Sequence, residues 1–161
     1  MGYDFQSKPR VMVIEARYYE DIADFLLKGA TDVLNQEGCD YDTYQVPGAL
    51  EIPAMIKFAI RSLAFNIQMQ RYDAYIALGC VIRGETSHYD IVSGQSATGL
   101  LGLVNQYSLA LGNGILTVEN KEQALARSDP DQKNKGGEAA KAALDMLYHK
   151  QIFGLFPRVT K

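Results

Sequence analysis

Cysteine and histidine are scarce: the 161 residues hold two of each, Cys39, Cys80, His88 and His149. Their spacing fits no metal-ligand pattern, and two cysteines in a chain of this size read as reduced thiols rather than as a disulfide framework. Positive charge is short as well. Lys and Arg number 16 against 19 Asp and Glu, a net charge of -3 with pI near 5.4, so there is no broad basic field for nucleic acid or a membrane surface. No apolar run approaches the length of a membrane span, and MGYDFQSKPR at the start lacks the apolar core of a signal peptide. The expected location is the cytoplasm. Repeats and low-complexity segments are absent too. A composition of 47% hydrophobic and 22% charged residues reads as one ordinary domain over 1–161, with a polar arm at 1–10 and a short apolar tail at 151–161 that packs on a neighbour.

What is present is an alternation of apolar strands with amphipathic helices. Val11 to Ala16 reads as a buried strand that ends before Arg17-Tyr18-Tyr19. Ile22, Phe25, Leu26, Ala30, Val33 and Leu34 then recur at helical spacing until Gly38. Tyr41 to Val46 is more polar, as an edge strand is, and Pro47-Gly48 closes it. A helix opening at Ala49-Leu50-Glu51-Ile52-Pro53 is expected to bury Met55, Ile56, Phe58, Ala59, Ile60 and Leu63 and to fray over 64–71. Tyr75 to Ile82 is the most apolar strand. The helix from His88 to about Leu109 carries Asp90 as its one charge, so another subunit is expected to cover it. Gly112-Asn113-Gly114 punctuates the chain before a fourth strand over 115–118, and a short helix follows over 122–127. The last helix, Lys135 to about Lys150, is expected to bury Ala139, Ala142, Ala143, Leu144, Leu147 and Tyr148, with His149 a surface cation at its end. Strands alternating with helices in this way demand a parallel sheet with right-handed crossovers, helices on both faces, and a ligand at the strands' carboxyl ends.

The stretch Gly79 to Val92, GCVIRGETSHYDIV, is where chemistry concentrates. An apolar strand runs into a polar turn, and Ser87 followed by Asp90 has capping-box spacing, so the free N–H groups of a helix's first turn would suit an anion such as phosphate. His88 stands beside them, and imidazole ordinarily takes and gives protons near neutrality. A histidine at such a turn is more often structural than catalytic, and a single turn specifies little. Tyr18 lies at the end of the first strand, where a ring can pack on the rim or stack on a flat heterocycle. Glu51, where strand, turn and helix meet, can serve the helix dipole or accept hydrogen bonds from sugar-like hydroxyls. Tyr18, residues 47–51, residues 81–88 and the chain beyond Val118 all fall at one sheet edge and are expected to form one site.

VPGALEIP at 46–53, GCVIRGETSHYDIV at 79–92, GNGILTVENKEQA at 112–124 and NKGGEAA at 134–140 together resemble the lumazine synthase family, in register from Val11 to Tyr148. The resemblance implies a flavodoxin-like three-layer α/β/α sandwich, a four-stranded parallel sheet of order 2-1-3-4. It also implies a homopentamer with active sites between subunits, and riboflavin synthase as a partner. The implied reaction condenses 5-amino-6-ribitylaminouracil with 3,4-dihydroxy-2-butanone 4-phosphate to 6,7-dimethyl-8-ribityllumazine, with no cofactor and no metal. On the matching positions His88 would move protons, while Arg127 and the N–H groups of Gly84, Glu85 and Thr86 would hold phosphate. Tyr18 would stack on the pyrimidine and Glu51 would bind the ribityl chain, with Ala49, Leu50, Val81, Ile82 and Lys135 lining the pocket. Three positions depart from the family pattern. Tyr18 stands where many members have phenylalanine or tryptophan, Asn113 where they have another aromatic, and Asp131 where a lysine is frequent. The loop over 128–134 also lacks the glycines of capsid-forming members, which points to an isolated pentamer. Competing expectations are a non-catalytic, oligomeric flavin- or lumazine-binding relative and a shell protein with a vestigial site. Keeping His88, Arg127 and Glu51 together favours the enzyme.

Overall fold

A computed structural model describes residues 2–66 and 71–157. Strand β1 (Arg10–Ala16), helix α1 (Glu20–Gln36) and strand β2 (Asp40–Val46) come first. A 3-10 turn (Ala49–Glu51) leads into α2 (Ile52–Phe65), and β3 (Ala74–Ile82), α3 (His88–Tyr107), β4 (Ala110–Val118), α4 (Lys121–Ser128) and α5 (Lys135–Ile152) follow. The four strands form a parallel sheet of order β2-β1-β3-β4, as expected, with β2 at one edge and β4 at the other. Part of the expected fraying at 64–71 lies outside the described residues, as does the end of the tail. Among the described residues no helix is long and apolar enough to cross a membrane.

Alternation along β1 and β3 builds two cores. Val11, Val13, Ile76 and Leu78 face α1 and α5, where Leu26, Leu34, Leu144 and Leu147 are fully buried. Met12, Ile14, Tyr75 and Ala77 face α2 and α3, which return only Ile52, Ile56 and Leu100 as fully buried partners. The first layer is thick and the second thin. Of the six α2 residues expected inside, only Ile56 is fully buried, and Phe58 is 66% exposed. The helical period shows which face is apolar, but here the sheet beneath that face is too narrow to cover it.

Two further expectations are corrected. Gly112-Asn113-Gly114 is not a turn but the middle of β4, and Gly112 is there because α5 crosses it: a Cβ would lie 1.8 Å from the Ala139 carbonyl oxygen. On α5, Ala140 is buried, whereas Ala142 is exposed and Tyr148 half-buried, because the helix turns its Gly136/Ala140/Ala143 side to α1 and the sheet. His149 is exposed, as expected. In the tail, Phe156 does not await a neighbour; it is buried in the chain's own core and meets the Phe5 ring edge-on.

A polar cluster fastens the β2 edge. Asp42 accepts hydrogen bonds from Arg10 Nε (3.1 Å), Arg10 Nη2 (2.7 Å) and Tyr72 Oη (2.7 Å), and the Tyr44 and Tyr72 hydroxyls are 2.6 Å apart. The Tyr72 hydrogen bond, then Arg10, hold the Asp42 carboxyl below its usual value of 3.8. A depressed carboxylate stabilises the fold above its unfolded pKa, and that contribution is lost as pH falls through the folded value. Asp42→Asn should therefore lower the melting temperature clearly at about pH 7 and much less at about pH 3. Equal shifts at both pH values, measured by circular dichroism, would show that the carboxylate's charge contributes nothing.

Candidate active site

The carboxyl ends of β1 and β3 open into a cleft of about 480 Å³. Ala16, Ala49, Leu50, Val81, Ile82 and Val92 give it apolar walls, and Tyr18, Glu51 and His88 supply its functional groups. Each arrives by a local cause. Tyr18 follows the last β1 residues and is 78% exposed, its ring edge-on to Tyr19 at 4.9 Å between centroids. Glu51 closes the 3-10 turn that Pro47-Gly48 starts, its N–H donating to the Gly48 carbonyl at 3.1 Å. His88 is the first residue of α3.

The capping box is not formed. Ser87 has φ -72 and ψ 1 rather than the extended backbone of an N-cap, and its side chain caps nothing. Instead Thr86 Oγ1 accepts the His88 N–H at 3.3 Å, and Asp90 is drawn to Arg83. Gly84, Glu85 and Thr86 are exposed in the turn leading to His88, next to the cleft rather than within its walls. Cys80 also lines the cleft, and burial pushes its thiol up to about 12. It is therefore protonated near neutrality and no ready nucleophile.

The remaining predicted residues lie elsewhere. Asn113, Arg127 and Lys135 line a second pocket of about 370 Å³ between β4 and α5, together with Thr117 and Glu138. Arg127 Nη1 donates to the Gln123 carbonyl (3.2 Å), Lys135 Nζ pairs with Glu138 Oε2 (2.5 Å), and Asn113 Oδ1 accepts the Ile115 N–H (3.0 Å). The expectation that the chain beyond Val118 joins the other strand ends at one site is not met within one chain: Tyr18, residues 48–51 and residues 80–82 with His88 share the cleft, but β4 carries Asn113 and Thr117 along its open flank. His88 and Arg127 line different pockets, one lipophilic with an acid and an imidazole, the other cationic. Among the described residues, no three His, Cys, Asp or Glu side chains gather as a metal site.

A family model described as 6,7-dimethyl-8-ribityllumazine synthase matches residues 8–151. The chain belongs to the 6,7-dimethyl-8-ribityllumazine synthase family. Relatives bearing that name include one from Bartonella tribocorum, 53% identical over 154 residues that cover 96% of this chain and 98% of the relative. Another, from Sphingopyxis alaskensis, is 54% identical over 145 residues, 90% of this chain and 97% of its own. A third, from Methylorubrum extorquens, is 55% identical over 148 residues, 92% and 84% respectively. As a member of the lumazine synthase family the chain is a transferase of riboflavin biosynthesis.

Sequence reasoning also missed the contacts of Arg83, which lines neither pocket but adjoins the turn before His88. It marks the switch from strand to polar turn, but its partner Glu119 is 36 positions away, and nothing local in the sequence joins them.

Proposed function

We propose that the chain condenses 5-amino-6-ribitylaminouracil with 3,4-dihydroxy-2-butanone 4-phosphate, and that two copies supply each active site. The amine condenses with the ketone and one water leaves, phosphate is eliminated, and the ribityl-bearing nitrogen closes the second ring on the remaining carbonyl with loss of a second water, giving 6,7-dimethyl-8-ribityllumazine. These steps need proton transfer, anion binding and alignment more than a covalent nucleophile. The observation that carries the reading is the division of labour between the pockets. The cleft offers a ring platform at Tyr18, a carboxylate for hydroxyls at Glu51 and an imidazole at His88, whereas the phosphate-seeking cations Arg127 and Lys135 belong to the other pocket. Docking the β4 flank of one chain on the cleft of the next would unite them.

Such a contact is head-to-tail; contacts of that kind give a ring when the rotation between copies closes and a filament when it does not, and the closed form proposed here is the family's homopentamer. Support comes from α3, a 20-residue helix that buries only Ser96 and Leu100 and leaves Leu101 61% exposed. Apolar surface of that extent is characteristic of a protein–protein contact. The free thiols Cys39 and Cys80 suit a reducing compartment such as the cytoplasm.

Mixing the chain with both substrates and following lumazine absorbance tests the reaction. Arg127→Ala should lose at least about tenfold in kcat/KM, roughly 1.4 kcal/mol of barrier. No product from the wild type would overturn the assignment and leave the flavin- or lumazine-binding relative in its place.

A further inference from the structure

Arg83 is held on four sides. Its N–H donates to the Val118 carbonyl at 2.9 Å, fixing the residue on the end of β4. Its Nε donates to Glu119 Oε2 at 2.9 Å, its Nη1 lies 3.4 Å from Asp90 Oδ1, and its guanidinium stacks 4.2 Å above the Tyr89 ring centroid. Asp90 and Tyr89 belong to the first turn of α3, so the side chain bridges both ends of the turn at 84–87.

That turn has little else to fix it. Gly84 has no neighbour within 4 Å of where a Cβ would stand. The hydrogen bonds touching 84–87 among the described residues are the His88 N–H to Thr86 Oγ1 and the Asp90 and Ile91 N–H groups to the Ser87 carbonyl, all at its helical end. A lysine could supply the charge but neither the planar stack nor two separate N–H arms.

Resting on the reaction proposed above, we infer that Arg83 is a positioning residue: its N–H fixes it to the end of β4, its guanidinium ties Glu119 to the first turn of α3, and together these contacts set the 84–87 turn for the phosphate-bearing substrate. It touches two carboxylates and a ring, and so is not assigned as a ligand of the substrate itself.

The test is steady-state kinetics of the assembled protein, varying each substrate in turn. Arg83→Gln should raise KM for 3,4-dihydroxy-2-butanone 4-phosphate about tenfold, and the inhibition constant of inorganic phosphate likewise, while KM for the pyrimidine changes by less than about twofold. Arg83→Lys should keep most of that defect, and it carries the test alone if the Gln variant does not fold. An unchanged KM for the phosphorylated substrate, equal losses for both substrates, or full recovery with lysine would each overturn the positioning role. An inactive wild type would instead remove the reaction on which it rests.

Discussion

Two impaired variants, mixed, should make a more active enzyme. Tyr18→Ala/His88→Ala disables the cleft and should fall to about a hundredth of the wild-type rate or below, and Arg127→Ala disables the cationic pocket and should fall to about a tenth or below. If every active site takes its cleft from one copy and its cations from the next, random co-assembly gives about a quarter of the sites two intact halves. Unfolding the variants together, refolding and assaying should then recover about a quarter of the wild-type rate per site. Mixing without refolding serves as the comparison that shows how much of the recovery requires new assembly. Failure to exceed the sum of the separate variants would exclude a shared site.

The largest stability effect is expected at Gly112. The position is extended β4 backbone, where valine is intrinsically favoured over glycine, so any loss on Gly112→Val must come from packing. A Cβ there would stand 1.8 Å from the Ala139 oxygen and 2.7 Å from the Ala139 carbonyl carbon, main-chain atoms that cannot rotate away. Either α5 lifts from the sheet or β4 shifts, and both break the thick core. The cost should be at least about 3 kcal/mol, a fall in melting temperature of roughly 6–12 °C for a chain of this size. Gly84→Ala, with open space at its Cβ, should change stability by no more than about 0.5 kcal/mol. A tolerated valine at 112 would mean that α5 sits farther from β4 than described.

Much of this architecture was legible in the residues. Apolar runs and helical spacing place β1, α1 and β3 to within a residue or two, because burial on both faces and a stripe facing a core leave distinct periods. Strand order came from the family motifs, since periodicity carries no information on which strands are neighbours. Glycine misled at 112–114: the sequence cannot distinguish a residue chosen for a turn from one chosen because a helix backbone passes close by. The inner face of α2 misled as well, since the spacing of Met55, Phe58 and Leu63 marks them as apolar without saying whether their own chain covers them. For the site, Tyr18, Ala49, Leu50, Glu51, Val81, Ile82 and His88 come together in one cleft as expected. Asn113, Arg127 and Lys135 do not join them within one chain. The Arg83 bridge depends on a contact across the sheet end, and that is visible only once β3 and β4 are paired.

The separation of the two pockets bears on how output responds to supply. With the His88 imidazole and the cations Arg127 and Lys135 in separate pockets of one chain, a site shared between copies as proposed would leave a newly made chain silent until it found companions. Yield at low expression would then climb more steeply than the amount of protein, and dilution would switch the chemistry off without unfolding anything.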